Sequence, residues 1–146
     1  MNKLAAIAAC VVAVVSPVPK SLGMNSSQAV VTAAQVNGTW KNSRNELKIL
    51  ALGKNRLKVQ FYGTHEYRTA AGPGANTGEL SGIATIEGTI ATLKEPETPE
   101  GCRITMTFKE GKMEVGQDGE CGFGAGVSAD GSYRRVSSRK PNFTQE

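Results

Sequence analysis

The chain has 146 residues, of which 39% are hydrophobic and 21% are charged. This length allows one domain with a hydrophobic core, and the composition excludes a disordered or fibrous chain. The formal net charge is +4, but Lys3 and Lys20 lie in an N-terminal stretch without acids, and without them 15 bases face 13 acids. A net charge of +2 gives little reason to expect a nucleic-acid partner.

Residues 1–33 predict a signal peptide. Lys3 gives a short positive start, and residues 4–15 are uninterruptedly apolar. This stretch fits a leader and is shorter than the about 20 residues that a membrane-spanning helix needs, so no stable membrane span is expected. Small-residue cleavage patterns end at Gly23, Ala29 and Ala33. We therefore expect cleavage between residues 23 and 34.

The cysteines point to a secreted or periplasmic location. Cys10 falls within the leader, where Ile7-Ala8-Ala9-Cys10 resembles a bacterial lipobox, and a lipid anchor at Cys10 is the alternative to its removal. Cys102 and Cys121 then remain, and an even number of cysteines in an exported chain predicts a disulfide. Two free thiols, or a redox pair, are the alternative.

After residue 35 the hydrophobic pattern has a period of two, which predicts strands. In residues 56–63, Leu57, Val59 and Phe61 alternate with polar residues, and residues 102–109 show the same alternation. Turn signals containing glycine separate the apolar runs. The pattern predicts eight strands, at residues 37–42, 46–52, 56–63, 79–87, 89–94, 102–109, 112–118 and 127–136.

The register of one predicted hairpin tests the disulfide. A tight turn at residues 110–111 puts Phe108 opposite Met113 and leaves Cys102 as a diagonal neighbour of Cys121. A bridge therefore requires a bend in the chain, which the glycines around Cys121 supply.

Eight short antiparallel strands indicate an all-β fold. We expect one up-and-down barrel over residues 35–136, because closure removes exposed sheet edges, with a β-sandwich as the alternative. Residues 69–78 predict a mobile loop, residues 94–101 an acidic connection, and residues 137–146 a flexible tail.

Charge is unevenly distributed along the chain. Residues 41–68 contain seven bases and two acids, whereas residues 79–120 contain nine acids and four bases. One interpretation is a barrel with a basic side and an acidic side. The alternative is that the charges intermix once the strands pair.

Gly38-Thr39-Trp40 resembles the Gly-x-Trp opening of lipocalins and avidins, calycin-type barrels whose first strand packs its Trp across the barrel floor. In lipocalins an Arg near the last strand covers this Trp, and here Arg134 and Arg135 stand in the last predicted strand. The similarity to avidins implies a ligand-contacting role for Asn42. Avidin-type biotin sites are walled by several tryptophans, whereas this chain has one, so biotin is not an expected ligand.

The segment from Cys121 to Arg134 resembles the ends of uncharacterised exported bacterial β proteins, some of which are grouped with lysozyme inhibitors. Its glycines do not form a phosphate-binding loop, because no helix and no Lys-Ser/Thr ending follow. They are expected to serve as bends.

No pattern of catalytic or metal-binding residues stands out. His65 is the only histidine, which excludes histidine clusters for metals and most nucleophilic triads. We expect no enzyme, no cofactor and no metal site.

The sequence therefore predicts an exported binding module, with either a small apolar ligand inside the barrel or a protein partner. The second alternative includes a protein of the lysozyme-inhibitor kind, with the acidic stretch from Glu95 to Glu120 facing a basic partner such as a lysozyme. The candidate ligand-binding residues are Trp40, Asn42, Phe61, Phe108 and Arg134.

Overall fold

The computed structural model describes residues 31–95 and 101–143, which form one short helix and eight strands. The leader predicted for residues 1–33 therefore lies almost entirely outside the described residues. The elements are α1 (Ala33–Val36), β1 (Gly38–Lys41), β2 (Asn45–Gly53), β3 (Arg56–Thr69), β4 (Gly72–Glu87), β5 (Ile90–Glu95), β6 (Cys102–Lys109), β7 (Lys112–Asp118) and β8 (Gly131–Ser137).

The strands form one closed antiparallel barrel in sequence order, and β8 pairs with β1 to close it. The predicted all-β barrel is thus confirmed, and it is compatible with the calycin-like architecture that the Gly-x-Trp opening implies. The sandwich alternative is wrong. The smallest overlaps between neighbours are those of β4 with β5 and of β1 with β8, each of which covers three residue pairs.

Alternation decides which side chains enter the barrel. In β3, Leu57, Val59 and Phe61 are buried, whereas Arg56 and Lys58 are exposed. In β6 and β7, Phe108 lies opposite Met113 and Met106 opposite Val115, as the tight turn at residues 110–111 predicts. Because successive residues of a strand face opposite sides, one face of every strand belongs to the core.

The interior is filled by side chains. A side chain that bordered a cavity large enough for a water molecule would keep some accessible surface. A side chain with none therefore borders neither solvent nor such a cavity. This is true of inward residues along the whole length of the barrel: Leu47, Ile49, Val59, Phe61, Ile104, Met106, Met113 and Tyr133 are each 0% exposed.

The end of the barrel near α1, which we call the floor, is closed by Trp40. The Trp40 indole Nε1 donates to the carbonyl oxygen of Val36 at 3.0 Å, and its ring meets Phe108 with 5.7 Å between centroids. The guanidinium carbon of Arg135 lies 5.7 Å from the Trp40 ring centroid, where a cation is attracted to the π face. Of the two arginines that the lipocalin resemblance suggested, Arg135 covers the indole and Arg134 points outward.

The described segments that flank the strands pack on the barrel. The Val31 backbone N–H donates to the Gly88 carbonyl oxygen at 3.2 Å. In the C-terminal segment, Pro141 is buried and the Phe143 ring lies 4.7 Å from the Lys58 ammonium nitrogen. The flexibility of residues 137–146 stays a prediction. The described part of this segment contacts β3.

Candidate functional site

The β3–β4 hairpin extends beyond the barrel. The pairing of β2 with β3 ends at Asn45 and Gly63, whereas β3 and β4 continue to pair as far as Thr69 and Gly72. We call the extension, residues 64–77, the arm. Six residues beyond Gly63 correspond to about 20 Å of strand.

The expected mobile loop at residues 69–78 is wrong, because all of it except Ala70 and Ala71 is strand. The glycines and small residues of this stretch have low strand propensity, but pairing with β3 outweighs that preference. The Thr69 hydroxyl closes the turn, since it accepts from the Ala71 N–H at 3.2 Å and donates to the Gly72 carbonyl at 3.1 Å.

A glycine-rich segment, residues 122–127, holds the base of the arm. We call it the clamp. The Gly124 N–H donates to the Thr77 carbonyl at 3.0 Å, and the Asn76 amide donates to the Ala125 carbonyl at 2.7 Å. The Phe123 ring lies 4.8 Å from that of Phe61 and covers the core at this end of the barrel. The arm is therefore fixed to the barrel by both backbone and aromatic contacts.

Close approach requires glycine where the clamp meets the arm. A Cβ on Gly126 would lie 2.6 Å from the His65 ring, and the φ of +79° at Gly126 is one that side chains rarely adopt. Likewise, a Cβ on Gly78 would lie 2.7 Å from the Phe123 ring. His65 therefore packs against backbone, and the sole histidine contributes to structure at this site.

The clamp is attached to the barrel at its start by a disulfide. Cys102 and Cys121 are bonded with a Cα–Cα distance of 4.7 Å. Gly119 and Gly122, with φ of +80° and +70°, supply the bend that the diagonal register requires.

A buried hydrogen-bond network attaches residues 128–133, which follow the clamp, to the start of β2. The Asn45 amide donates to the Tyr133 hydroxyl oxygen at 2.9 Å and to the Ser128 carbonyl at 2.8 Å, and the Tyr133 hydroxyl donates to the Ala129 carbonyl at 2.7 Å. Burial raises the pKa of Tyr133 to about 12. Sequence reasoning missed both side chains of this network. Asn45 stands one residue before the predicted strand 46–52, whereas the observed β2 begins with it.

The tip of the arm carries a shallow depression of about 550 Å³, lined by Glu66, Tyr67, Arg68, Pro73, Gly74 and Ala75. Tyr67 is 41% exposed. Its ring lies over Gly74, where an added Cβ would come within 2.6 Å of the ring. The Tyr67 ring thus packs against Gly74 of the opposite strand, and part of its surface stays accessible.

The five candidate residues from the sequence do not form one site. Trp40 and Phe108 lie in the floor, Phe61 is in the core beneath Phe123, and Arg134 is on the outer wall. Asn42 shapes the turn between β1 and β2, because its side-chain oxygen accepts from the backbone N–H groups of Arg44 and Asn45.

Charges intermix on the outer face of β6 and β7, where Arg103 forms an ion pair with Asp118 at 3.5 Å. The two signs are thus interleaved on this part of the barrel, and a uniformly acidic wall is not formed there. Within residues 31–95 and 101–143, no group of three or more His, Cys, Asp or Glu side chains could hold a metal ion, and no helix is long and apolar enough to span a membrane.

Comparisons of the chain with models of protein families, with curated proteins and with solved structures found no match.

Proposed function

We propose that this protein is an exported, non-catalytic interaction module that binds a partner protein with the tip of its arm. The observation that carries the proposal is a projecting hairpin, held at its base by the clamp, that ends in the exposed pair Tyr67 and Arg68.

The chemistry of the tip favours protein recognition. Tyr and Arg are enriched among the few residues that supply most of the binding energy at protein interfaces. The Tyr67 ring already lies against Gly74, and the Thr69 hydroxyl closes the turn. Because the Tyr67 ring and the turn are held in place before contact, they lose little conformational entropy on binding.

The packed interior argues against the first alternative, a small apolar ligand inside the barrel. Drug-sized ligands occupy cavities of about 300 to 1,000 Å³, and inward residues such as Met106 and Phe61 have no accessible surface. A ligand of that size would have to displace core side chains.

Export is the setting we propose for this interaction. The leader pattern and the disulfide both support it. Among the cleavage patterns, those ending at Gly23 and Ala29 retain the hydrogen bond from Val31 to Gly88, whereas the one ending at Ala33 removes it. We therefore favour a mature chain that includes Val31.

Site-specific photo-crosslinking tests the arm. A benzophenone amino acid replaces Tyr67 in one variant and Tyr62 in the other, and both variants are expressed in the native host. Tyr62 is a matched control, since it is 43% exposed and lies on the same strand within the barrel wall. We expect one discrete adduct from position 67 that excess unlabelled protein abolishes. Equal adducts from both positions, or none from position 67, would refute the arm as the binding surface.

A lysozyme is the first partner to assay, because the segment from Cys121 to Arg134 resembles exported proteins grouped with lysozyme inhibitors. At equimolar protein, we expect the rate of cell-wall lysis to fall. Tyr67→Ala together with Arg68→Ala should restore the rate, and Tyr62→Ala should not. An unchanged rate with the wild-type protein rules out that lysozyme as the partner.

A further inference from the structure

Four basic side chains lie opposite one another across neighbouring strands of the outer wall. In register, Lys41 faces Arg134, Arg134 faces Lys112, and Lys112 faces Lys109. All four residues are exposed. We call them the basic row.

Few acids form ion pairs with the basic row, although Glu114, two residues along β7 from Lys112, lies on the same outward face. Lys41 forms an ion pair with Glu46 at 2.6 Å. Within the described part of the chain, Arg134, Lys112 and Lys109 have no carboxylate at ion-pair distance. Directly opposed like charges destabilise a sheet. Acids at some of these positions would make the sheet more stable. A set of opposed bases is therefore typical of a surface selected for binding rather than for stability.

The geometry of the row fits an extended anionic chain. Neighbouring strands lie about 4.8 Å apart, so three steps span about 14 Å. A polymer of sugar acids carries one carboxylate per monosaccharide, a repeat comparable with this spacing. Several of its charges can therefore lie near the row at the same time.

A shallow depression beside the row adds groups suited to sugars. It has a volume of about 650 Å³, and Ser43 and Ser132 line it together with Lys41 and Arg134. Hydroxyl groups hydrogen-bond to sugar hydroxyls, whereas binding of single-stranded nucleic acid relies on aromatic side chains that stack with bases. Among the described residues that line this depression, none has an aromatic side chain.

From the register, the unpaired charges and the depression, we propose that the basic row binds an acidic polysaccharide. This surface is separate from the tip of the arm, so failure of either proposal leaves the other intact.

Binding of polygalacturonate and of dextran sulfate, measured at about 20 mM and about 200 mM salt, tests the proposal. The test variant carries Lys112→Gln and Arg134→Gln. The control variant carries Arg56→Gln and Lys94→Gln, which removes the same charge from exposed positions outside the row. Uncharged dextran, oligo-dT and anionic vesicles serve as competing ligands.

We expect the wild type to bind at least one acidic polysaccharide at low salt and to lose affinity at high salt. The test variant should lose about tenfold in affinity, and its salt slope should fall by about two. The control variant should lose much less. The melting temperature of the test variant should not fall, because the substitution relieves repulsion.

Four results would overturn the proposal. They are the absence of polysaccharide binding at low salt, equal losses in the two variants, stronger binding to oligo-dT or vesicles than to either polysaccharide, and a lowered melting temperature of the test variant.

Discussion

Removal of the disulfide tests how much the attachment of the clamp stabilises the barrel. In the variant with Cys102→Ala and Cys121→Ala, the unfolded chain loses a constraint between residues 19 positions apart. Closing a loop of about 20 residues lowers the entropy of the unfolded state enough to contribute about 3 kcal/mol to the free energy of unfolding. For a domain of this size, that difference corresponds to a fall of about 12 °C in melting temperature.

The assay is thermal unfolding followed by far-UV circular dichroism, with and without a reductant. We expect the reductant to lower the melting temperature of the wild type by a similar amount and to leave that of the variant unchanged. A fall of less than about 4 °C in the variant would contradict the reasoning. A reductant effect on the variant equal to that on the wild type would show that the treatment acts elsewhere.

Two further substitutions probe the clamp and the buried network. Gly126→Ala should lower the free energy of unfolding in urea by about 1 to 3 kcal/mol more than Gly53→Ala. Both glycines have φ near +80°, but only the first has a neighbour, His65, within reach of a Cβ; equal losses would exclude the clash. Tyr133→Phe should cost about 1 to 3 kcal/mol, because it leaves the Ala129 carbonyl without its donor. Since the folded pKa of Tyr133 is about 12 and the ordinary value is 10.0, the wild-type free energy of unfolding should hold below pH 10 and fall by about 2 to 3 kcal/mol towards pH 12 relative to the Phe variant. Parallel pH profiles of the wild type and the Phe variant would contradict that pKa.

Much of the barrel is predictable because the determining signals are local. The alternation around Val59 and around Met106 sets which side chains enter the core, and the turn at residues 110–111 sets the register of its hairpin. The disulfide follows from the same register together with the glycines beside Cys121.

The arm and the basic row depend on pairing that the sequence does not display. Residues 72–78 have the composition of a loop and become a strand only because the second half of β3 pairs with them. The basic row draws Lys109 and Lys112 from the stretch rich in acids. Arg134 joins them only through β7 and β8, and Lys41 only through the closure of β8 onto β1, a register interrupted by a bulge near Trp40.

The candidate site was less predictable than the fold for a physical reason. Three of the five residues singled out from the sequence, Trp40, Phe61 and Phe108, are aromatic, and aromatic residues close a small barrel as readily as they bind a ligand. No sequence motif marks Tyr67 as a candidate. It was singled out from the structure, because it packs on Gly74 of the opposite strand and because both residues lie beyond the barrel.

The alternation along each strand also separates two kinds of evolutionary constraint. A substitution at Arg134 or Lys112 changes what the wall attracts without altering a residue of the packed interior, and a substitution at Arg68 changes only the end of the hairpin. The proposed binding at the wall, the proposed binding at the tip and thermodynamic stability can therefore diverge independently among descendants of this chain.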